Sequence, residues 1–508
     1  MLTRLISFIR QVMYRMGLIR GIQNISQLDT AADEEHYRLV DMWHSLYRGY
    51  LSTGLDGEPW HDVKYHTING PKTRRMHSLN MPKVASEEMA RLVFNEKCRI
   101  NVSDEELAEN IESVLKQNGF YKRFQTYLEY GFALGGMVAK TYAVTGRNGA
   151  PELRIGFVTA DCFLPISWSN GKITEGVFIN QTKKGTKWYT HLEWHQWEGA
   201  EYVIRNELYE SDKADEIGVR VALETLYPEL EQEVRISNLS RPLFVYFKPN
   251  IANNFDTQSP LGISIYANAL DTLKAIDIAF DSLIREFRLG KKRILVPATA
   301  VKTVVDPQTG HLHRYFDAND EVYQAFNFQD AESQKPIDIS VELRVDEHIK
   351  AIQALLDIFS MQIGFSAGTF TFDGQGVKTA TEVVSENSKT FRTKNSHEVI
   401  VEEGLKELIT SIVEVAELYG IFSAPAEYEV NIDFDDSIAE DRDSNADYYL
   451  KLKNGGLISA KTALMRILDY TEEQAEEELL RIAAESRQVT GLDIDLLGLA
   501  AGEGNAQS

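Results

Sequence analysis

The chain has 508 residues, and its 53 lysines and arginines against 76 aspartates and glutamates give a net charge of −23. That balance excludes a protein that grips nucleic acid by neutralising phosphates with a basic surface, but not an acidic wall past which DNA slides. The length implies roughly two to four domains. The composition is that of a globular chain, and with no apolar run of about 18 residues no membrane-spanning helix is expected.

In residues 1–22, Arg4, Arg10, Arg15 and Arg20 alternate with Leu2, Leu5, Ile6, Ile9, Val12, Met13 and Met16, as on a basic helix with one apolar face. The arginines interrupt the apolar run a signal peptide needs. Such a helix, taken as residues 1–30, docks on an acidic surface of its own assembly or lies on a membrane surface. Cys98 and Cys162 stand among apolar neighbours and are too few for a disulfide framework or a four-cysteine zinc site, so free buried thiols are expected.

Residues 31–55 read as helical and 60–80 as mixed and turn-rich. Helices are expected from Ser86 to Glu96, from a capping box of Ser103 with Glu106, and from Gly119 to Leu134, where Gly135-Gly136 stops the last one. From Met137 to Phe247 the period becomes two. Strands are expected at 137–144, 153–158, 173–180, 187–197, 201–208 and 243–247, with a hairpin at Asn170-Gly171. His191, His195, Trp188, Trp194 and Trp197 crowd one strand pair, which suits a half-buried sheet better than a metal site.

A long helix is expected from Leu261 to Leu289, with Leu270, Leu273, Ile276, Phe280, Leu283 and Phe287 as its stripe. At 1.5 Å per residue it spans roughly 40 Å. Lys291, Lys292 and Arg293 follow it, then two strands (294–305 and 311–328) around the turn Asp306–Gly310. His311 and His313 share a strand face, but no third ligand is in view, so no metal is assigned. A second helix runs from Val345 to Gln362 with Ile352, Leu355 and Phe359 on its stripe, and residues 364–376 break all periodicity. A third helix, with a bend, is expected from about Thr379 to Tyr419. Beyond Pro425 the chain is acidic, with helices at 437–453, 459–468 and 471–486 and a Gly/Ala/Asn/Ser tail. The fold class is therefore α+β, in several domains.

Catalytic motifs fail where tested. Gly374-Gln-Gly376-Val-Lys378-Thr379 lacks the glycine that a Walker A loop places before its lysine, and His397-Glu398 has Val401 where a zinc protease needs its second histidine. There is no Gly-x-Ser-x-Gly elbow. No catalytic residue and no cofactor is assigned.

Three segments carry a resemblance: Ser259-Pro-Leu-Gly-Ile-Ser-Ile-Tyr266 with its long helix, Gly290-Lys-Lys-Arg-Ile-Leu-Val-Pro297, and Lys378-Thr-Ala-Thr-Glu-Val383. In order and spacing, over roughly residues 35–485, the chain resembles the portal proteins of tailed bacteriophages, closest to those of siphophages of Gram-positive hosts. The resemblance implies a multidomain subunit in a homo-oligomeric ring, usually of twelve, at one capsid vertex of the virion. It implies assembly in the host cytoplasm and double-stranded DNA passing through the ring. The implied partners are the terminase large subunit, a head–tail adaptor, and the major capsid and scaffolding proteins, with no membrane and no enzymatic role.

Carried over, 31–260 is the wing, 261–290 and 343–363 are the stem helices, 291–342 is the clip, and 364–378 is the tunnel loop. Residues 379–429 are a long helix returning to the wing, 430–490 the crown, and 491–508 a disordered tail. The resemblance places Thr369, Phe370, Thr371, Phe372, Gln375 and Lys378 at the channel. It places Lys291, Lys292, Arg293, His311, His313 and Arg314 on the clip, facing motor and adaptor. The stem stripe from Leu270 to Phe287, with Ile352, Leu355 and Phe359, packs subunits together. Lys378 is the one basic residue between Ile363 and Lys389, and so the position for a phosphate contact. The rival readings are a minor head or adaptor protein and, in another class, an acidic β-rich enzyme with paired carboxylates.

Overall fold

The computed structural model describes residues 34–482, except 55, 68–69, 96, 147–148, 214–217, 291–293, 298–302, 306–311, 315–322, 327–336, 339–340, 372–387, 435–441, 469 and 471–473. The basic segment 1–30, the tail and the start of the third helix lie outside the described residues. The chain forms two compact units, a large one drawn from 1–374 and 389–434 and a small one drawn from 375–388 and 435–508.

The large unit opens with α1 (Glu34–Tyr47), a ribbon of β1 (Asp62–Thr67) and β2 (Gly70–Arg75), and α2 (Met81–Val93). Helix α2 begins earlier than the sequence pattern suggests. Asn80 is its N-cap, Pro82 occupies its first turn, and Ser86 lies inside it with its hydroxyl donating to the Pro82 carbonyl. Proline fits a first turn because no N–H is needed there. After β3 (Arg99–Val102), α3 (Glu105–Gln117) is capped by Asp104, which accepts from the Leu107 N–H, and not by Ser103. The Ser103 hydroxyl instead accepts from the Glu429 N–H. Helix α4 (Phe120–Leu134) stops at Gly135 in a left-handed conformation (φ 86°), as the Gly-Gly pair implies.

The β-rich region is a three-stranded sheet and a six-stranded one. In the first, β4 (Met137–Thr145) lies between β5 (Pro151–Thr159) and β12 (Phe244–Phe247). The second is an antiparallel meander of β6 (Phe163–Ser169), β7 (Lys172–Lys184), β8 (Lys187–Glu198) and β9 (Glu201–Ser211). The outer edge of β9 is shared by β10 (Val219–Val221) and β11 (Glu233–Ser237). Asn170 (φ 51°) and Gly171 (φ 77°) turn β6 into β7, the hairpin their sequence announces. Strand β6, the first arm of that hairpin, carries Pro165 and a register shift beside it that break its alternation. Phe124, packed on Phe94, Phe120 and Phe247, centres the core shared by α2, α4 and β12.

The first long helix is shorter than its sequence stripe. Helix α5 is Leu270–Leu289, and residues 261–269 are irregular. Leu261, Ile263, Ile265, Tyr266, Ala267 and Ala269 are all buried, so this stretch is apolar because it is surrounded, not because one helical face is covered. It is pinned by the Phe132 carbonyl accepting from Ile265 N–H and by the Tyr266 hydroxyl donating to the Trp43 carbonyl. Backbone approaches backbone here: a Cβ on Gly262 would sit 2.3 Å from the Gly135 oxygen. Only glycine fits such a crossing.

After α5 come β13 (Ile294–Pro297), β14 (Thr303–Val305), β15 (Leu312–Arg314), β16 (Tyr323–Phe326) and β17 (Ile337–Asp338). β14 and β15 pair antiparallel across the expected turn, but β13 pairs parallel to β16 and antiparallel to β17, a tip more complex than one hairpin. Helix α6 (Val345–Gln362) has the expected bounds. Helix α7 (Ser388–Leu418) runs unbroken for 31 residues, and β18 (Val430–Asp433) returns to pair with β3. The small unit contains α8 (Arg442–Asn454), α9 (Ala460–Leu468) and a helical run at 474–482, with Ala463 and Ala475 buried.

Candidate functional site

The centre of the candidate site is the α5–α6 pair with the loop that follows it. Leu273, Ile276, Ile352, Leu356 and Phe359 are buried, while Leu270, Phe280, Leu283 and Leu355 are partly buried against them. This stripe is covered within the chain itself: it holds α5 to α6 instead of waiting for a neighbour. Phe287 continues the stripe beyond the core and is about half exposed (48%). The far ends of the pair are tied by Arg344, whose guanidinium donates to Glu286 (3.1 Å), and by Leu343 lying against Gly290. On the opposite side of α5, Ile278 (50%) and Leu289 (58%) are exposed, and Ile358 (43%) and Met361 (48%) are exposed on α6. Ile278 and Leu289 are about three turns apart, on one stripe.

Two aspartates on α5, outside its apolar stripe, are buried. Asp277 accepts from Trp60 Nε1 and bonds His61 Nε2, both at 3.2 Å. Asp281 takes two hydrogen bonds from the Arg74 guanidinium (2.8 and 2.7 Å) and one from the His77 N–H (3.2 Å). Burial alone would raise the Asp281 carboxyl, but the Arg74 and His77 hydrogen bonds outweigh it and hold it at about 2. The ribbon β1–β2 is thereby clamped to the middle of α5.

The loop after α6 is anchored in its first half. Phe365 is buried, and Phe370 is half-buried against Phe365 and Phe359 (ring centroids 5.3 and 6.3 Å). Gly368 N–H donates to Asp357 Oδ1 (2.9 Å), Gln353 Nε2 to the Phe370 carbonyl (3.0 Å), and Thr369 Oγ1 to the Ser366 carbonyl (2.7 Å). Phe370 and Thr369 thus fasten the loop to α6, while Thr371 is exposed. Phe372, Gln375 and Lys378 lie outside the described residues. So do Lys291, Lys292, Arg293 and His311; His313 and Arg314 stand on β15, paired with Val304 and Thr303.

The histidines of the β region have interior partners. His195 bonds Tyr202 Oη and Glu193 Oε1, both at 2.8 Å, and His191 bonds Asn206 Oδ1 at 2.9 Å. Burial lowers both histidines. Burial opposes the Glu193 charge, but Lys140 and His195 beside it keep it well below the usual carboxylate range. Cys98 is buried and Cys162 half-buried, neither in a disulfide, and burial pushes the Cys162 thiol up to about 12. Among the described residues, no three His, Cys, Asp or Glu side chains form a metal-binding group, and no helix is long and apolar enough to cross a membrane.

His397, on α7, is buried against Phe132 and accepts from the Asn250 N–H (3.0 Å). Burial pushes it from the ordinary 6.5 down to about 4. Its folded form therefore refuses a proton that the unfolded chain takes, and stability drains as pH falls from 6.5 towards 4, by about 3 kcal/mol in all. Denaturant melts at pH 7 and 4.5 should show that slope, and His397→Gln, which can still accept from Asn250, should flatten it.

No curated protein matches this chain. The family described as phage portal protein, SPP1 Gp6-like, matches residues 27–491, which include the β-rich region, helices α5 and α6 and the acidic helical end. The chain belongs to the SPP1 Gp6-like family of phage portal proteins.

Proposed function

We propose that this portal protein acts as a closed ring of about twelve copies, whose wall is built by the α5–α6 pairs and whose bore carries double-stranded DNA. The observation that carries the reading is the exposure of Ile278 and Leu289 on α5 and of Ile358 and Met361 on α6, in a helix pair whose seam is already filled. Apolar side chains left exposed on both helices of a filled pair are what side-by-side packing of copies needs. A rotation from copy to copy that divides a full turn closes the ring, and the unit charge of −23 leaves its surface non-adhesive to DNA.

In this reading the stem is 270–289 with 345–362, and the irregular 261–269 belongs to the wing. Residues 291–342 form the clip, where Lys291, Lys292, Arg293, His311, His313 and Arg314 meet the terminase large subunit during packaging and the head–tail adaptor afterwards. The crown is 430–490. Major capsid and scaffolding proteins surround the ring, which assembles in the cytoplasm of a Gram-positive host of a siphophage. The protein itself performs no chemistry, and the motor hydrolyses the ATP. The channel-facing part of the loop is its second half, with Thr371, Phe372, Gln375 and Lys378, because Thr369 and Phe370 are spent on anchoring.

Deleting 372–376 tests this. The expected result is intact rings that fail to package or retain DNA in an assay with the matching motor. Packaging at the ordinary level would overturn the loop assignment, and monomers would make the segment a subunit contact instead.

A further inference from the structure

The ribbon β1–β2 is a two-stranded sheet with no third strand among the described residues. Its base is held on both faces. Arg74 on one face reaches Asp281 of α5; on the other, Asp62 accepts from Tyr50 and Ser52, and Arg75 donates to the Gly49 carbonyl. Beyond the base, Lys64, Tyr65, His66, Pro71, Lys72 and Thr73 are all exposed. An isolated two-stranded ribbon is marginal in water, and open edges invite a partner. Here Asp281 of α5 holds the base through Arg74, and Asp277 holds Trp60 and His61 just before the first strand.

Its charge runs against that of the chain. Between 62 and 75 stand Lys64, Lys72, Arg74, Arg75 and His66 against the single acid Asp62, in a protein of net charge −23. Arg74 and Arg75 are used at the base, whereas Lys64 and Lys72 make no ion pair among the described residues. Six residues per strand at 3.3 Å give a reach of roughly 20 Å, enough to cross a subunit boundary. We propose that the outer half of this ribbon straps each subunit to an acidic surface of the neighbouring copy. The inference rests on the ring reading above. A second copy is the occupant that fits: rotational symmetry presents every ribbon with the same neighbour, and that neighbour carries an excess of carboxylates.

The test uses rings assembled from a mixture of ordinary and nitrogen-15 protein, coupled with a zero-length carbodiimide and read by mass spectrometry. Lys64 or Lys72 is expected in amide links to Asp or Glu peptides of mixed isotope. Links within one chain only, or none at these lysines, overturn the proposal. A Lys64→Glu, Lys72→Glu variant should keep the melting temperature of the subunit but lower the ring population at fixed concentration by about tenfold. Rings at the ordinary yield overturn the strap and leave the ring reading standing, even if packaging falls, for the lysines would then serve DNA. If the unaltered protein makes no rings, the reading beneath falls and the strap with it.

Discussion

Aspartate at position 276 is expected to leave no folded subunit, whereas aspartate at 278 is expected to leave a folded subunit that does not assemble. Ile276 is fully buried at the α5–α6 seam, while Ile278 is half exposed on the opposite side of the same helix. A carboxylate forced into the seam goes unpaired and costs about 4 kcal/mol or more. That is a large part of the 5–15 kcal/mol that typically holds a domain together. At 278 the same change meets water in the free subunit and costs well under 1 kcal/mol. In a ring it would put a charge into every subunit contact, and the penalty repeats around the circle. Circular dichroism melts and mass photometry separate the cases. A folded Ile276→Asp subunit would contradict the seam, and normal rings from Ile278→Asp would contradict the outer stripe.

Arg74→Ala should lower unfolding stability by about 3 kcal/mol, because it strands the buried Asp281 carboxylate. The figure stays at the low end since the guanidinium is itself partly exposed (27%). The sign with pH follows from the held-down carboxyl. Asp281 is ionised in the fold down to about 2, below its ordinary 3.8, so its contribution is complete above pH 4 and drains as pH falls through about 2. Arg74→Ala should therefore be most damaging near neutral pH and converge on the parent protein in strong acid. Equal destabilisation at pH 7 and pH 2 would show that Arg74 acts by packing alone. Asp281→Asn should be milder, because an amide is cheaper to bury than a charge.

Local pattern carried much of this fold into view. The period-two stretch, the stop at Gly135, the turn at Asn170-Gly171 and the bounds of α6 each depend on residues near one another in sequence. What escaped depends on distant partners. Residues 261–269 look helical because they are apolar, yet they are apolar through burial on all sides beside Gly135 and Trp43. Asp277 and Asp281 carry no local sign of burial, for their partners Trp60, His61 and Arg74 stand some two hundred residues away. The ribbon that supplies Arg74 had a local signal in Asn69-Gly70 between two short runs, overshadowed by the mixed character of 60–80. Phe370 was read as a channel residue because it stands in a glycine-rich loop; its rings with Phe359 and Phe365 turn it inward. The stem stripe was read as a subunit seam, since periodicity reveals that a face is covered but not which molecule covers it.

The central claim is a closed ring, and electron microscopy of the purified protein tests it most directly, with class averages examined for rotational symmetry. The account predicts rings with a central hole and about twelve-fold symmetry, lost in Ile278→Asp and retained when 372–376 is deleted. A monodisperse monomer or dimer that stays unassembled at high concentration and moderate salt would contradict it.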